Sequence, residues 1–327
     1  MKRLAPFALF SALLLSSAAT AAPNVVASIK PVHSLVAAVM QGVGEPTLIV
    51  RGSASPHTYA LRPSDAGAIE NADIVFWTGH GMELFLADAL ETLGANAQSV
   101  ELSAAPGIEL LPVREGGAFE PHDHGGEDNH EYDHGHETDD HDHDHEAHNH
   151  DHGHDHEEGD MHFWLDPENA KLMVDAIAET LANADPENAE TYRANASAEN
   201  EKLDALETEL TATLAPVADR PFVVFHDAYQ YFERRFGLTV AGSVTVTPDV
   251  MPGARRIGEL RSKISELGAS CVFAEPNFEP TIIASIIEGS AAQSGVLDPE
   301  GAALDEGVEL YPNLLRGLAA SLVACLQ

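Results

Sequence analysis

The stretch PENAETYRANASAENEKLDALETELTATLA, residues 186–215, divides the chain in two. Leu203, Leu206, Leu210 and Leu214 recur at spacings of three and four, which gathers them on one stripe of a helix and leaves Glu, Asn and Lys to the other faces. No Gly or Pro interrupts the run after Pro186. The pattern predicts one long linker helix, about 45 Å if every residue is helical. Upstream, apolar runs at 25–29, 47–50, 74–77 and 99–102 read as strands. Helices are expected over 31–40, 63–71 and 82–93, and over 167–182 with Asp166 as its N-cap. Downstream, strands expected over 221–225, 238–243, 271–274 and 295–297 alternate with helices over 228–236, 252–267, 279–293 and 311–325. Such alternation argues for parallel sheets covered by helices on both faces. The expected architecture is α/β, with two Rossmann-like lobes, 22–185 and 216–327, on either side of a rigid linker helix over 186–215.

One segment of the first lobe does not fit this alternation. From residue 115 to 160 there is no Lys, Arg, Ile, Leu or Val, and the only aromatics are Phe119 and Tyr132. A segment so poor in apolar side chains cannot offset the entropy of ordering, and disorder is expected. It alternates acids with thirteen histidines: His122, His124, His130, His134, His136, His141, His143, His145, His148, His150, His152, His154 and His156. Imidazole and carboxylate are both ligands of first-row metals, so these histidines are expected to form auxiliary weak metal sites. Each such site must order chain to form, at roughly 1–2 kcal/mol per residue, so it should bind more weakly than a preformed centre.

The formal net charge of the 327 residues is -36, and this segment carries half of it. Nothing supplies the basic stripe that phosphates require, which excludes nucleic acid as a partner, whereas the field favours cations. Lys2 and Arg3, the apolar run at 4–15 and Ala19-Thr20-Ala21 form the pattern of a secretory signal peptide at 1–21, cleaved near Ala21/Ala22. No later run approaches the ~20 apolar residues of a spanning helix, so the mature chain is expected to be exported without a membrane span. An oxidising compartment favours a disulfide between the two cysteines, Cys271 and Cys325, over two separate buried thiols.

Outside the acidic segment, His57 follows the second strand, His162 precedes a helix, His226 follows the strand at 221–225, and Asp298 follows the strand at 295–297. Ligands of open α/β sheets bind beyond the carboxyl ends of strands, where three of these four residues fall. Three imidazoles and a carboxylate suit four-coordinate zinc. A single histidine at a strand end is more often a hydrogen-bonded structural residue, and His33, within the first helix, and His80, in a Gly-His-Gly turn, are read that way.

The sequence SPHTYALRPSD at 55–65 resembles the first ligand motif of the zinc-binding periplasmic proteins of ABC importers. DMHFWLDP at 160–167 resembles their second, FHDAYQYF at 225–232 their third, and VFAEPNF at 272–278 a further signature. The likeness covers essentially the whole mature chain. It implies two α/β domains joined by a long rigid helix, metal in the cleft between them, and His57, His162 and His226 as ligands. Asp298 matches a carboxylate position many relatives use, and the likeness supports the Cys271–Cys325 bridge. Some zinc-importing relatives carry an acid immediately before the first histidine. Pro56 stands there instead, so Asp298 or a water must complete the shell. Manganese-binding members have a carboxylate at the position of His226, so this histidine tips the expected ion to Zn2+.

The resemblance therefore implies a monomeric zinc receptor that delivers its ion to the membrane permease of an ABC importer. The alternatives are an exported zinc buffer or metallochaperone, and a zinc hydrolase with Glu275 or Asp298 as base. G-x-S-x-G does not occur, and the HExxH match at His130-Glu131-Tyr132-Asp133-His134 falls in the acidic segment, where no helix is expected to set its two histidines on one face, which argues against an enzyme.

Overall fold

The computed structural model describes residues 22–114, 119, 159–245, 253–276 and 280–327. Val25–Ala27 (β1), Lys30–Val39 (α1), Thr47–Leu48 (β2), Pro63–Glu70 (α2), Ile74–Trp77 (β3), Leu84–Thr92 (α3) and Gln98–Glu101 (β4) alternate as expected. The four strands pair in parallel in the order β2-β1-β3-β4. β1 and β3 are buried at every position, because helices cover both faces of a parallel sheet and neither can be left apolar toward water.

Pro167–Ala184 (α4) then packs along Ala189–Leu214 (α5). Asp166 caps α4 by accepting the Glu168 amide, as expected of an acid at that position. Tyr192, Ala196, Leu203, Leu206, Leu210 and Leu214 are the buried stripe of α5. Each fully buried Leu contributes roughly 1.5–3 kcal/mol, so this stripe glues the helix along its length. At 26 residues the helix spans about 39 Å, shorter than the sequence expectation because residues 186–188 and Ala215 stand outside it.

The second lobe repeats the first. Pro221–His226 (β5), Gln230–Phe236 (α6), Thr239–Thr245 (β6), Ala254–Leu267 (α7), Cys271–Ala274 (β7), Pro280–Ile287 (α8), Gln293–Val296 (β8) and Leu310–Leu326 (α9) follow in turn. The parallel order is β6-β5-β7-β8, the same topology as in the first lobe. The helix expected over 279–293 stops at Ile287. Gly289 takes φ 80°, where only glycine is unstrained, and the chain turns so that Gln293 can pair with Cys271. Cys271 and Cys325 form the expected disulfide, tying β7 to α9.

Hydrogen bonds join the lobes. The buried Lys30 ammonium donates to the carbonyls of Gly301, Ala302 and Leu304 at 3.1, 3.0 and 2.9 Å. The Trp164 indole donates to Pro299 O at 2.9 Å, and the Tyr311 hydroxyl donates to Trp164 O at 2.7 Å. The Arg235 guanidinium lies on the Asp166 carboxylate at 2.7 and 2.9 Å. No helix among the described residues is long and apolar enough to cross a membrane.

Candidate metal centre

His226 ends β5, and Glu275 comes directly after β7, the neighbour of β5 in the sheet. These are the carboxyl ends of the two strands on either side of the point where the strand order reverses, the usual ligand position of an open α/β sheet. The two side chains meet there, His226 Nδ1 lying 2.5 Å from Glu275 Oε1. His162 opens a short 3-10 turn, Phe163–Leu165, that leads into α4. Its Nδ1 lies 2.8 Å from Asp160 Oδ1, which also accepts the His162 backbone amide at 3.0 Å. His57 comes from the loop after β2. That loop is braced by buried Asp65, which accepts from the Tyr59 hydroxyl at 2.8 Å and from the Arg62 amide at 3.0 Å.

Histidines 57, 162 and 226 each present a nitrogen within 4.8 Å of the other two, and among the described residues this is the one group of three or more His, Cys, Asp or Glu with that spacing. The rings stand 5.1 to 5.6 Å apart, centroid to centroid. A cavity of about 150 Å³ opens beside them, lined among others by His57, His162, Gly81, Met82 and Asp227.

With Nδ1–H of His162 and His226 directed at carboxylates, their Nε2 atoms face each other at 3.3 Å with lone pairs. The Nε2 of His57 is buried with no hydrogen-bond partner. Three bare nitrogens pointing at one space repel each other unless a cation or a proton lies between them. Burial, with the two neighbouring imidazoles, holds His57 well below the usual imidazole range. Burial also lowers His226, but the Glu275 carboxylate outweighs it and the net shift is upward. So His57 offers a neutral donor, while His226 takes up a proton more readily than a free imidazole, and a metal competes with that proton.

Zinc fits this donor set. Three neutral imidazoles satisfy a borderline-soft ion, and the carboxylates of Asp160 and Glu275 behind them balance two positive charges. Asp298 is placed differently. Its carboxylate accepts the amides of Glu300, Ala302 and Ala303 at 3.3, 3.0 and 3.2 Å and is not in the histidine group. His33 bonds to Pro46 O at 3.1 Å and His80 to Glu101, and neither belongs to the histidine group. The thirteen histidines of the acidic segment and the signal peptide lie outside the described residues.

Sequence reasoning found the three imidazoles but missed the residues behind them. Asp160 carried a signal, being an acid two positions before His162. Glu275 stands out in the sequence only within a motif and as a possible base, because its pairing with His226 depends on β5 lying beside β7.

Residues 25–325 match the family model for the zinc-uptake complex component A, periplasmic. The chain is 53% identical over 333 residues to the high-affinity zinc uptake system protein ZnuA of Brucella suis biovar 1, covering 100% of both chains. It is 36% identical over 322 residues to the protein of the same name from Yersinia pestis, covering 98% of this chain and 96% of that one. Among solved structures, a crystal structure of ZnuA superposes with a TM-score of 0.72 at 24% identity, over 94% of this chain and 100% of that chain.

Proposed function

This chain belongs to the family of periplasmic component A of zinc-uptake complexes, and from that premise we propose that His57, His162 and His226 are the side chains that hold its zinc. The protein is a periplasmic zinc-binding receptor of an uptake system and not an enzyme. The observation that carries the ligand assignment is the convergence of three imidazole nitrogens from distant parts of the chain, one of them buried and unpartnered. Two ligands come from the first lobe and one from the second, so the ion bridges them.

The fourth position belongs to water in this arrangement, since Asp298 is committed to three backbone amides of its own loop. A water there also leaves the ion exchangeable, as delivery requires, whereas a closed four-ligand shell is the mark of a structural site. The mature chain begins near Ala22, acts as a monomer and passes zinc to the permease of an ABC importer. The acidic segment gathers zinc in weak sites.

Chelator-competition titration tests the assignment. Single changes H57A, H162A and H226A should each weaken zinc binding by at least a hundredfold, with the fold intact by circular dichroism. H226D should weaken zinc and narrow its preference over manganese, because a carboxylate hardens the donor set. Tight binding that survives H162A and H226A would refute the site. Zinc-limited growth of a strain lacking the gene, restored by the wild-type chain but not by H226A, separates a receptor from a free buffer.

A further inference from the structure

Residues 111–112, just before the acidic segment, meet residues 159–160, at its far end, beside His162. Pro112 and Gly159 form an isolated antiparallel bridge, and the Asp160 amide donates to Leu111 O at 2.7 Å. The second lobe grips this stem. The Tyr231 hydroxyl accepts the Leu111 amide at 2.8 Å and donates to Asp160 O at 2.7 Å. The Gln230 amide nitrogen donates to Pro112 O at 3.1 Å and to Asp160 Oδ2 at 3.2 Å. Arg114 reaches from the same strand to Asp227, and to Glu233 at 2.7 Å. All of these partners lie on residues 227–233, directly after His226.

The two oxygens of Asp160 therefore do different things. Oδ1 holds the ring and the backbone amide of His162, and Oδ2 is held by Gln230. A carboxylate tied at one oxygen can still swing about its Cβ–Cγ bond and carry the imidazole with it. Tying the second oxygen removes that freedom. We propose that Gln230 is a positioning residue for zinc binding: it fixes Asp160, and through it His162, against His226, while Tyr231 fixes the peptide that carries Asp160. A ligand from the first lobe is thus aimed by the helix that follows the ligand of the second. A neutral amide suits the role, because an arginine would neutralise Asp160 and make the imidazole a poorer donor. This inference rests on the assignment of His162 and His226 as ligands.

The test is Q230L, a change at a half-buried position, in the full chain. Zinc affinity by chelator competition should fall at least tenfold, within the 10–100-fold that loss of an outer partner costs. The visible absorption of the cobalt(II)-loaded protein should shift, a change that loss of stability alone would not produce. In a D160A background Q230L should cost nothing further, since its path runs through Asp160. The proposal is overturned if Q230L keeps wild-type affinity and cobalt spectrum, or if it weakens D160A as much as the wild type. H162A in the same assay separates the two failures: if it binds zinc normally, the ligand assignment has fallen, and if it does not, only the role of Gln230 has.

Discussion

His226 meets two opposed demands. As the proposed zinc ligand it must be neutral to donate, yet Glu275 at 2.5 Å stabilises its protonated form, and the net shift is upward from the usual imidazole value despite complete burial. Because the folded pKa lies above 6.5, the proton is present below it and zinc must expel that proton there. Zinc affinity should hold level above this folded pKa and fall as pH drops through it, by roughly tenfold per pH unit while one proton is released per ion. His57, held well below 6.5, adds no competition until lower pH. Zinc titrations from pH 8 to 5 with a proton-release measurement check this. In E275Q the onset should move to lower pH, because the charge that raised His226 is gone, and an unchanged onset would show that Glu275 does not set it.

At the scale of elements, the bridge between β7 and α9 closes the second lobe on itself, spanning 54 residues. In the chain-entropy model a loop of that size contributes about 4 kcal/mol, mostly by restricting the unfolded chain. C271A with C325A should therefore lower denaturant stability by about 2–4 kcal/mol and leave zinc affinity nearly intact, since neither residue touches the centre. The elements themselves were largely legible in the sequence. The leucine spacing in α5, the proline at the start of α4 and the alternation of strands and helices are local signals, and local signals suffice for elements buried on one face. Boundaries were less so, as at α8, where an Ile-rich run followed by Ala291 and Ala292 reads as helix until Gly289 turns it and parallel pairing with β7 makes Gln293 a strand residue. The three imidazoles were legible from strand ends and motif likeness. Their carboxylate partners were less so: Glu275 needs the sheet order, and Gln230 needs the contact between lobes, which no local pattern encodes.

At the scale of the whole molecule, the question is what zinc moves. Opening the lobes would break three bonds from the Lys30 ammonium, the Trp164–Pro299 and Tyr311–Trp164 bonds and the Arg235–Asp166 pair. At about 1 kcal/mol net for each neutral bond and more for those of charged groups, a wide opening costs well over 6 kcal/mol, before α5 is bent at all. Closure across most of the interface is therefore expected to persist when the ion leaves. The segment 51–62 that carries His57 is different: it consists of bends and turns, and Pro56 is its only buried residue. Ion binding should order this loop and leave the lobes where they are, a local closure in place of a hinge. Hydrogen exchange with and without zinc reads the difference. Protection should rise at residues 51–62 and around 160–162, while the amides at the start of α1 and at 301–304 stay equally protected in both states. If those interface amides exchange freely without zinc and become protected with it, the lobes do swing apart, and the bonds from Lys30 form only when the ion arrives.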